Sequence, residues 1–189
     1  GVWGSLTCRA GAVTKTPAFF EQGVGPDAWR LIENYLDVVK AWYAALDVGV
    51  SAGQVWAAAE AARDDSLYTF CVNPGHYIHL DEWLCSPFQR DSGCLLPSGA
   101  AIQADIIPVS RVPGIHVNME DGVVLADDAL RAELRERYPR MYARCQERRR
   151  FMIDTLGYEL SDAVLPLGNI PGAYFPCLLN TGLVCRHEA

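Results

Sequence analysis

Asn73-Pro74-Gly75-His76-Tyr77-Ile78-His79-Leu80-Asp81-Glu82-Trp83 is a turn signal followed by a short β-tolerant run carrying two imidazoles. Two later acidic segments belong with it. Asp105 ends Ser98-Gly99-Ala100-Ala101-Ile102-Gln103-Ala104-Asp105, and Glu120 lies in Val117-Asn118-Met119-Glu120-Asp121-Gly122. All three residues sit on or beside expected strands, and strand residues distant in sequence can converge on one face of a sheet. One imidazole and two carboxylates are donors that a hard or borderline divalent metal accepts. The residues alone leave structural roles open. His76 follows Pro74-Gly75 and suits a turn hydrogen bond, and Glu120-Asp121-Gly122 reads by itself as a turn between two strands.

Around this stretch, helices and strands come in runs. Residues 2–13 read as one strand with a turn at Arg9-Ala10-Gly11, and Pro17 to Pro26 as a loop. Asp27 caps an expected helix over 28–46, whose Leu31, Ile32, Tyr35, Leu36, Val39, Trp42, Tyr43 and Leu46 recur at threes and fours. Gly49 stops it, and Ser51 begins a second helix reaching about Arg63. Short strands are expected at 67–72, 77–80, 101–107, 116–119 and 123–126. Asp127 or Asp128 caps a helix through Arg137, and Pro139 fits the first turn of another reaching about Leu156. The Pro- and Gly-rich tail from Gly157 reads as ordered coil. This order predicts an α+β fold with a mostly antiparallel sheet. The expected division is a catalytic-type domain over 1–156 with a C-terminal extension, 157–189, packed on it.

The 189 residues are 50% hydrophobic and 21% charged, enough for one sizeable core. A net charge of −7 argues against a nucleic-acid partner, whose phosphates it would repel. The basic run Arg144 to Arg150 reads as a solvated or ion-paired helix face. The seven cysteines are irregularly spaced with no C-x-x-C, so a zinc ribbon fails and reduced, hydrophobe-like thiols are expected. No apolar run approaches the ~18 residues of a membrane span. No basic and apolar leader opens the chain, so a cytoplasmic protein is expected. The chain opens without Met in what reads as mid-strand, which predicts a fragment with an unpaired sheet edge and a tendency to dimerise or aggregate.

The motifs also resemble the C-terminal half of the pita-bread enzymes, the group of methionine and Xaa-Pro aminopeptidases, prolidase and creatinase. Gly75-His76 with Ile78 and Leu80 is similar to the strand carrying that family's metal-binding histidine. Leu96 to Asp105 resembles the L-x-x-G-M-x-x-x-x-E segment ending in an acidic ligand. Met119 to Leu125 resembles the segment whose Glu bridges two metals. The likeness covers roughly residues 1 to 130, and its Pro-Gly-His and Met-Glu-Asp-Gly details are most similar to an Xaa-Pro-peptidase-like branch. It implies a pita-bread fold, N-terminally truncated, with His76, Asp105 and Glu120 as ligands of Mn²⁺, Co²⁺ or Zn²⁺. It further implies a peptide or small-amide substrate and a homodimeric parent. The implied reaction is attack of metal-activated water on a peptide bond, with Glu120 or Asp105 handling the proton. His79 and His116 are candidates to orient the substrate or the oxyanion, though each also suits a structural role. Three departures stand out. Ser5 falls about where one metal-binding aspartate belongs, with the other upstream of Gly1. Trp83 aligns with a second active-site histidine, and Asp105 replaces a Glu. Two alternatives therefore stay open: a metal-free creatinase-like hydrolase with His76 as acid or base, and a binding module without catalysis.

Overall fold

The structure, a computed structural model, describes residues 3–7, 12–17, 25–78, 86–113, 115–168, 172–174, 182 and 184–186. The strands are β1 (Trp3–Thr7), β2 (Ala12–Pro17), β3 (Tyr68–Phe70), β4 (His76–Tyr77), β5 (Ala101–Ile106), β6 (Pro108–Ser110), β7 (Met119–Leu125) and β8 (Val164–Pro166). The helices are α1 (Pro26–Ala44), α2 (Ala52–Ala62), α3 (Asp128–Arg137) and α4 (Pro139–Arg150), the last running into a π-helical turn at Phe151–Thr155. Six strands form one antiparallel sheet in the order β1-β2-β7-β5-β4, with β8 also beside β7. β3 and β6 make a separate two-stranded ribbon. The fold is α+β with an antiparallel sheet, as the order of elements predicts.

Helix α1 forms because its apolar residues fall on one side. Leu31, Ile32, Tyr35, Val39, Trp42, Tyr43 and Leu46 are all buried against the sheet. It starts earlier than expected: Gly25 is the N-cap, Pro26 occupies the first turn, and Asp27 lies within the helix rather than capping it. Proline's fixed φ suits that position, and Asp27 still faces the positive end of the helix dipole. Helix α2 has the full capping box, with Gln54 N–H donating to Ser51 Oγ and Ser51 N–H donating to Gln54 Oε1. Gly53 is required there, since a Cβ would come within 2.6 Å of Ser92 O.

Several sequence expectations are corrected. The strand expected over 2–13 is replaced by two, and its expected turn at Arg9-Ala10-Gly11 lies outside the described residues. β1 and β2 are the two arms of an antiparallel hairpin pairing Trp3 with Pro17 and Thr7 with Val13. Glu120-Asp121-Gly122 is not a turn: it is the middle of β7, and 116–118 lie outside that strand. β6 and β8 were not expected, and β8 draws part of the 157–189 segment into the sheet beside β7. In the basic run, Arg148 and Arg149 are buried. Arg149 donates to Ser161 O and Val164 O at 2.6 Å and pairs with Asp162 at 3.2 Å, which docks α4 on β8. Cys71 and Cys94 are exposed rather than packed in the core. No described helix is long and apolar enough to cross a membrane.

Candidate active site

The two faces of the main sheet differ in what they carry. Strand alternation puts Ile102, Ala104, Ile106, Met119, Asp121 and Val123 toward α1, and Gln103, Asp105, Glu120 and Gly122 on the other face. The ladder pairs Asp105 with Glu120 across β5 and β7 and His76 with Gln103 across β4 and β5. His76, Gln103, Asp105 and Glu120 all line one cleft of about 990 Å³. The sheet therefore gathers the three residues singled out in the sequence, and adds Gln103.

Buried aromatic side chains of α1 set the position of each. Tyr35 Oη accepts from Met119 N–H at 2.7 Å and donates to Ile106 O at 2.9 Å, which pins the neighbours of Glu120 and Asp105. Trp42 Nε1 donates to Pro74 O at 2.8 Å, holding the turn before His76. That turn is also fastened by Gly75 N–H to Asp105 O at 2.9 Å and Ser86 Oγ to Gly75 O at 2.6 Å. Gly75 has φ +101°, and a Cβ there would sit 3.0 Å from the Trp42 ring and 3.1 Å from Gln103 O. Only glycine lets the chain pass between helix and sheet and deliver His76 at the next position.

His76 and Asp105 form the centre of the site. They are 9% and 8% exposed. His76 Nδ1 lies 3.0 Å from Tyr77 O, a contact satisfied only with the proton on Nδ1. Nε2 is then the nitrogen presented to Asp105 Oδ2, at 3.6 Å. The other oxygen of Asp105, Oδ1, is buried without a hydrogen-bond partner among the described residues. An ionised carboxylate oxygen buried this way costs free energy unless a ligand or an ion meets it. Glu120 Oε1 accepts from Asn118 Nδ2 at 3.3 Å.

The donor set does not fit the two-metal centre that the resemblance implies. Among the described residues no three of His, Cys, Asp or Glu are grouped so as to hold a metal. His76 and Asp105 come together, while Glu120 does not complete a cluster with them. Neither of the paired strands Trp3–Thr7 and Ala12–Pro17 contains an Asp, Glu, His or Cys. Ser5 pairs with Lys15, and it is Val13 that pairs with Glu120. Of the other candidates, His116 is exposed and does not line the cleft, while His79 and Trp83 lie outside the described residues.

No protein-family model matches the chain, and no curated protein matches it. Solved structures do. An Xaa-Pro dipeptidase from Bacillus anthracis is similar over 62% of this chain and 32% of its own, at 18% identity and a TM-score of 0.47. A methionine aminopeptidase from Rickettsia prowazekii matches over 61% and 56%, at 15% identity and a TM-score of 0.43. A dipeptidase from Pyrococcus horikoshii OT3 matches over 60% and 32%, at 21% identity and a TM-score of 0.42. These are peptidases of the group that the sequence motifs resemble. The chain spans about a third to just over half the length of these structures.

Two groups in the cleft wall were not singled out in the sequence. Gln103 reaches over Gly122, its Oε1 3.7 Å from where a Cβ would stand. The Arg90 guanidinium carbon lies over the Trp56 ring, 4.6 Å from its centroid. Period-2 alternation through Asp105 would have put Gln103 on the same face. No sequence signal links Trp56 with Arg90.

Proposed function

We propose that this cleft is the substrate site of a pita-bread-type hydrolase that cleaves an amide bond in a short peptide or small amide, with His76 and Asp105 as the proton-handling pair. The observation that carries this reading is the fixed orientation of His76. Its Nδ1 is tied to Tyr77 O, so Nε2 points at Asp105 inside a cleft large enough for a ligand. Water attacks the substrate carbonyl carbon, and Nε2 of His76 takes the water's proton. The Asp105 carboxylate stabilises the imidazolium so formed. His76 then returns the proton to the leaving nitrogen as the C–N bond breaks. Glu120, across the ladder from Asp105, adds a second carboxylate to the same face. The motifs at Gly75-His76, Leu96 to Asp105 and Met119 to Leu125 support the assignment to this group. No step is routed through a metal, because the donors present do not fit the centre.

The absence of donors from the hairpin strands favours a second reading, a cleft that binds a peptide without cleaving it. One assay separates the two. Xaa-Pro dipeptides, tripeptides and a small amidine are incubated with the purified chain in chelator and with added Mn²⁺, Co²⁺ or Zn²⁺. Hydrolysis that persists in chelator and falls at least about a hundredfold in His76→Ala is the expected result. Hydrolysis only with added metal overturns the metal-free mechanism. Saturable binding with no turnover in any condition leaves the binding module.

A further inference from the structure

We propose that the outer face of α3 and α4 is a docking surface for an acidic segment of a partner protein, received chiefly by Arg140 and Arg144. The charge of this chain is unevenly divided. Residues 135–150 hold seven of its 16 lysines and arginines and only two of its 23 acids. A net charge of −7 therefore coexists with one strongly positive stretch, and all seven of its cations are arginines. None of residues 127–156 lines the cleft of His76 and Asp105, so this surface is independent of the hydrolase reading.

The arginines fall into two groups. Some are used by the fold. Arg149 donates to Ser161 O and Val164 O, Arg137 pairs with Glu133, and Arg135 donates to Tyr142 Oη at 3.4 Å. Arg140 and Arg144 are exposed and make no ion pair or hydrogen bond with the described residues. They lie one turn apart on α4, so their side chains leave the same side of the helix, about 6 Å apart at Cβ. The other side of α4 is turned inward by Cys145, Arg148 and Arg149, all buried. Tyr138 stands at the junction of the two helices, 52% exposed, and adds an aromatic contact to the surface. α4 begins beside it with no acid in its first turn and no side-chain cap, so the positive end of its dipole adds to the field of Arg140. α3, with no buried residue, extends the exposed surface on the other side of Tyr138.

The distribution of charge selects the occupant. Carboxylates one helical turn apart, or two residues apart on an extended chain at about 7 Å, match the spacing of Arg140 and Arg144. Each carboxylate then receives one guanidinium. The patch is short, since Glu133 and Glu136 precede it and Glu147 and Asp154 follow it. A nucleic acid or an anionic bilayer overruns such a patch and meets the acids that dominate the rest of the chain, whereas a short acidic segment ends within it. Glu147, three positions after Arg144, opposes any acidic ligand and so supplies a test of sign.

Fluorescence anisotropy of the full chain with a short labelled peptide alternating glutamate and alanine, at low ionic strength, tests this. The matched glutamine–alanine peptide controls for charge. The acidic peptide is expected to bind and the neutral one not, and added salt should weaken the binding. Arg144→Glu should weaken it at least about fivefold, as one solvent-accessible ion pair becomes a repulsion, and adding Arg140→Glu should abolish it. Glu147→Gln should tighten it about twofold. Arg111→Glu makes the same change in net charge outside the patch and should leave binding within about twofold. All four positions are exposed, so the variants should fold, and circular dichroism checks that they do. No binding of the acidic peptide, equal binding of the neutral one, or equal losses in Arg111→Glu and Arg144→Glu overturns the surface. Tighter binding of oligothymidylate or of phosphatidylserine vesicles than of the peptide, lost in Arg144→Glu, overturns the acidic-protein occupant.

Discussion

Glu120 and Asp121 are consecutive residues of β7 and live in opposite environments. Glu120 is half-buried and lines the cleft, across the ladder from Asp105, among polar and apolar groups such as Gln103, Phe70 and Ile107. Asp121 points the other way and is 1% exposed. Its Oδ2 accepts from Gly172 N–H and, at 3.5 Å, from Tyr43 Oη, joining the sheet, helix α1 and the C-terminal segment. Burial pushes the Asp121 carboxyl up to about 7; the Gly172 and Tyr43 bonds pull it down in part, and the Glu120 charge raises it. One peptide step thus separates a carboxylate placed for chemistry from one placed for cohesion. Both carboxyls carry a cost, since Asp121 Oδ1, like Asp105 Oδ1, is buried with no hydrogen-bond partner among the described residues; what distinguishes Asp121 is that its Oδ2 ties three elements together.

The sharpest way to test this contrast is to damage the cohesive face. Trp42→Ala removes a fully buried indole and the bond to Pro74 O, and should destabilise the chain by about 3–5 kcal/mol in denaturant titration. Gly75→Ala forces a Cβ onto a φ of +101° against Trp42 and Gln103 O. It should cost about 1–3 kcal/mol and displace His76 from Asp105, so ligand binding should fall together with stability.

Asp121 offers a pH test. Its folded pKa of about 7 lies above the unfolded value near 3.9, so between those limits the folded chain holds a proton that the unfolded chain has released. Stability should therefore fall as pH rises from about 4 to about 7 and level off above. Asp121→Asn keeps both hydrogen bonds with no charge to bury. Denaturation midpoints across pH should lose that slope, and the variant should equal or exceed the wild type at pH 8. On the cleft face, Asp105→Asn should change stability by less than about 1 kcal/mol, with the sign toward gain, while abolishing turnover. A large loss of stability there would erase the distinction between the faces. The smallest effect concerns assembly. β1 and β4 end the main path of the sheet, and the homodimer implied by the resemblance should show as a concentration-dependent mass in sedimentation. A monomer at all concentrations would remove it.

The helices were legible because their signals are local. Ser51 with Gln54 is a complete capping box in four residues, and the stripe from Leu31 to Leu46 repeats at helical spacing. β7 was legible only at its two ends, within the strands expected at 116–119 and 123–126, because Glu-Asp-Gly between them carries turn chemistry. The Asp121 carboxyl is received by long-range partners, Tyr43 and Gly172, whereas Glu120 on the other face meets a local one, Asn118. His76, Asp105 and Glu120 could be picked out by resemblance. That no three of the described donors group so as to hold a metal could not be, because side-chain positions depend on packing beneath the sheet. Arg90 on Trp56 joins residues that no periodicity connects.

β7 also has consequences for the order of events during synthesis. One of its edges is divided: Met119 to Asp121 pair with β2, from more than a hundred residues earlier, and Val123 to Leu125 pair with β8, about forty residues later. While the chain is being made, β1 and β2 must wait for their neighbour until Met119 has left the ribosome. The remaining half of that edge stays open until Pro166 follows. For that interval an apolar strand end is exposed to other nascent chains. A chaperone that shields extended segments would act most usefully in this window, and a pause in translation between β7 and β8 would prolong the hazard.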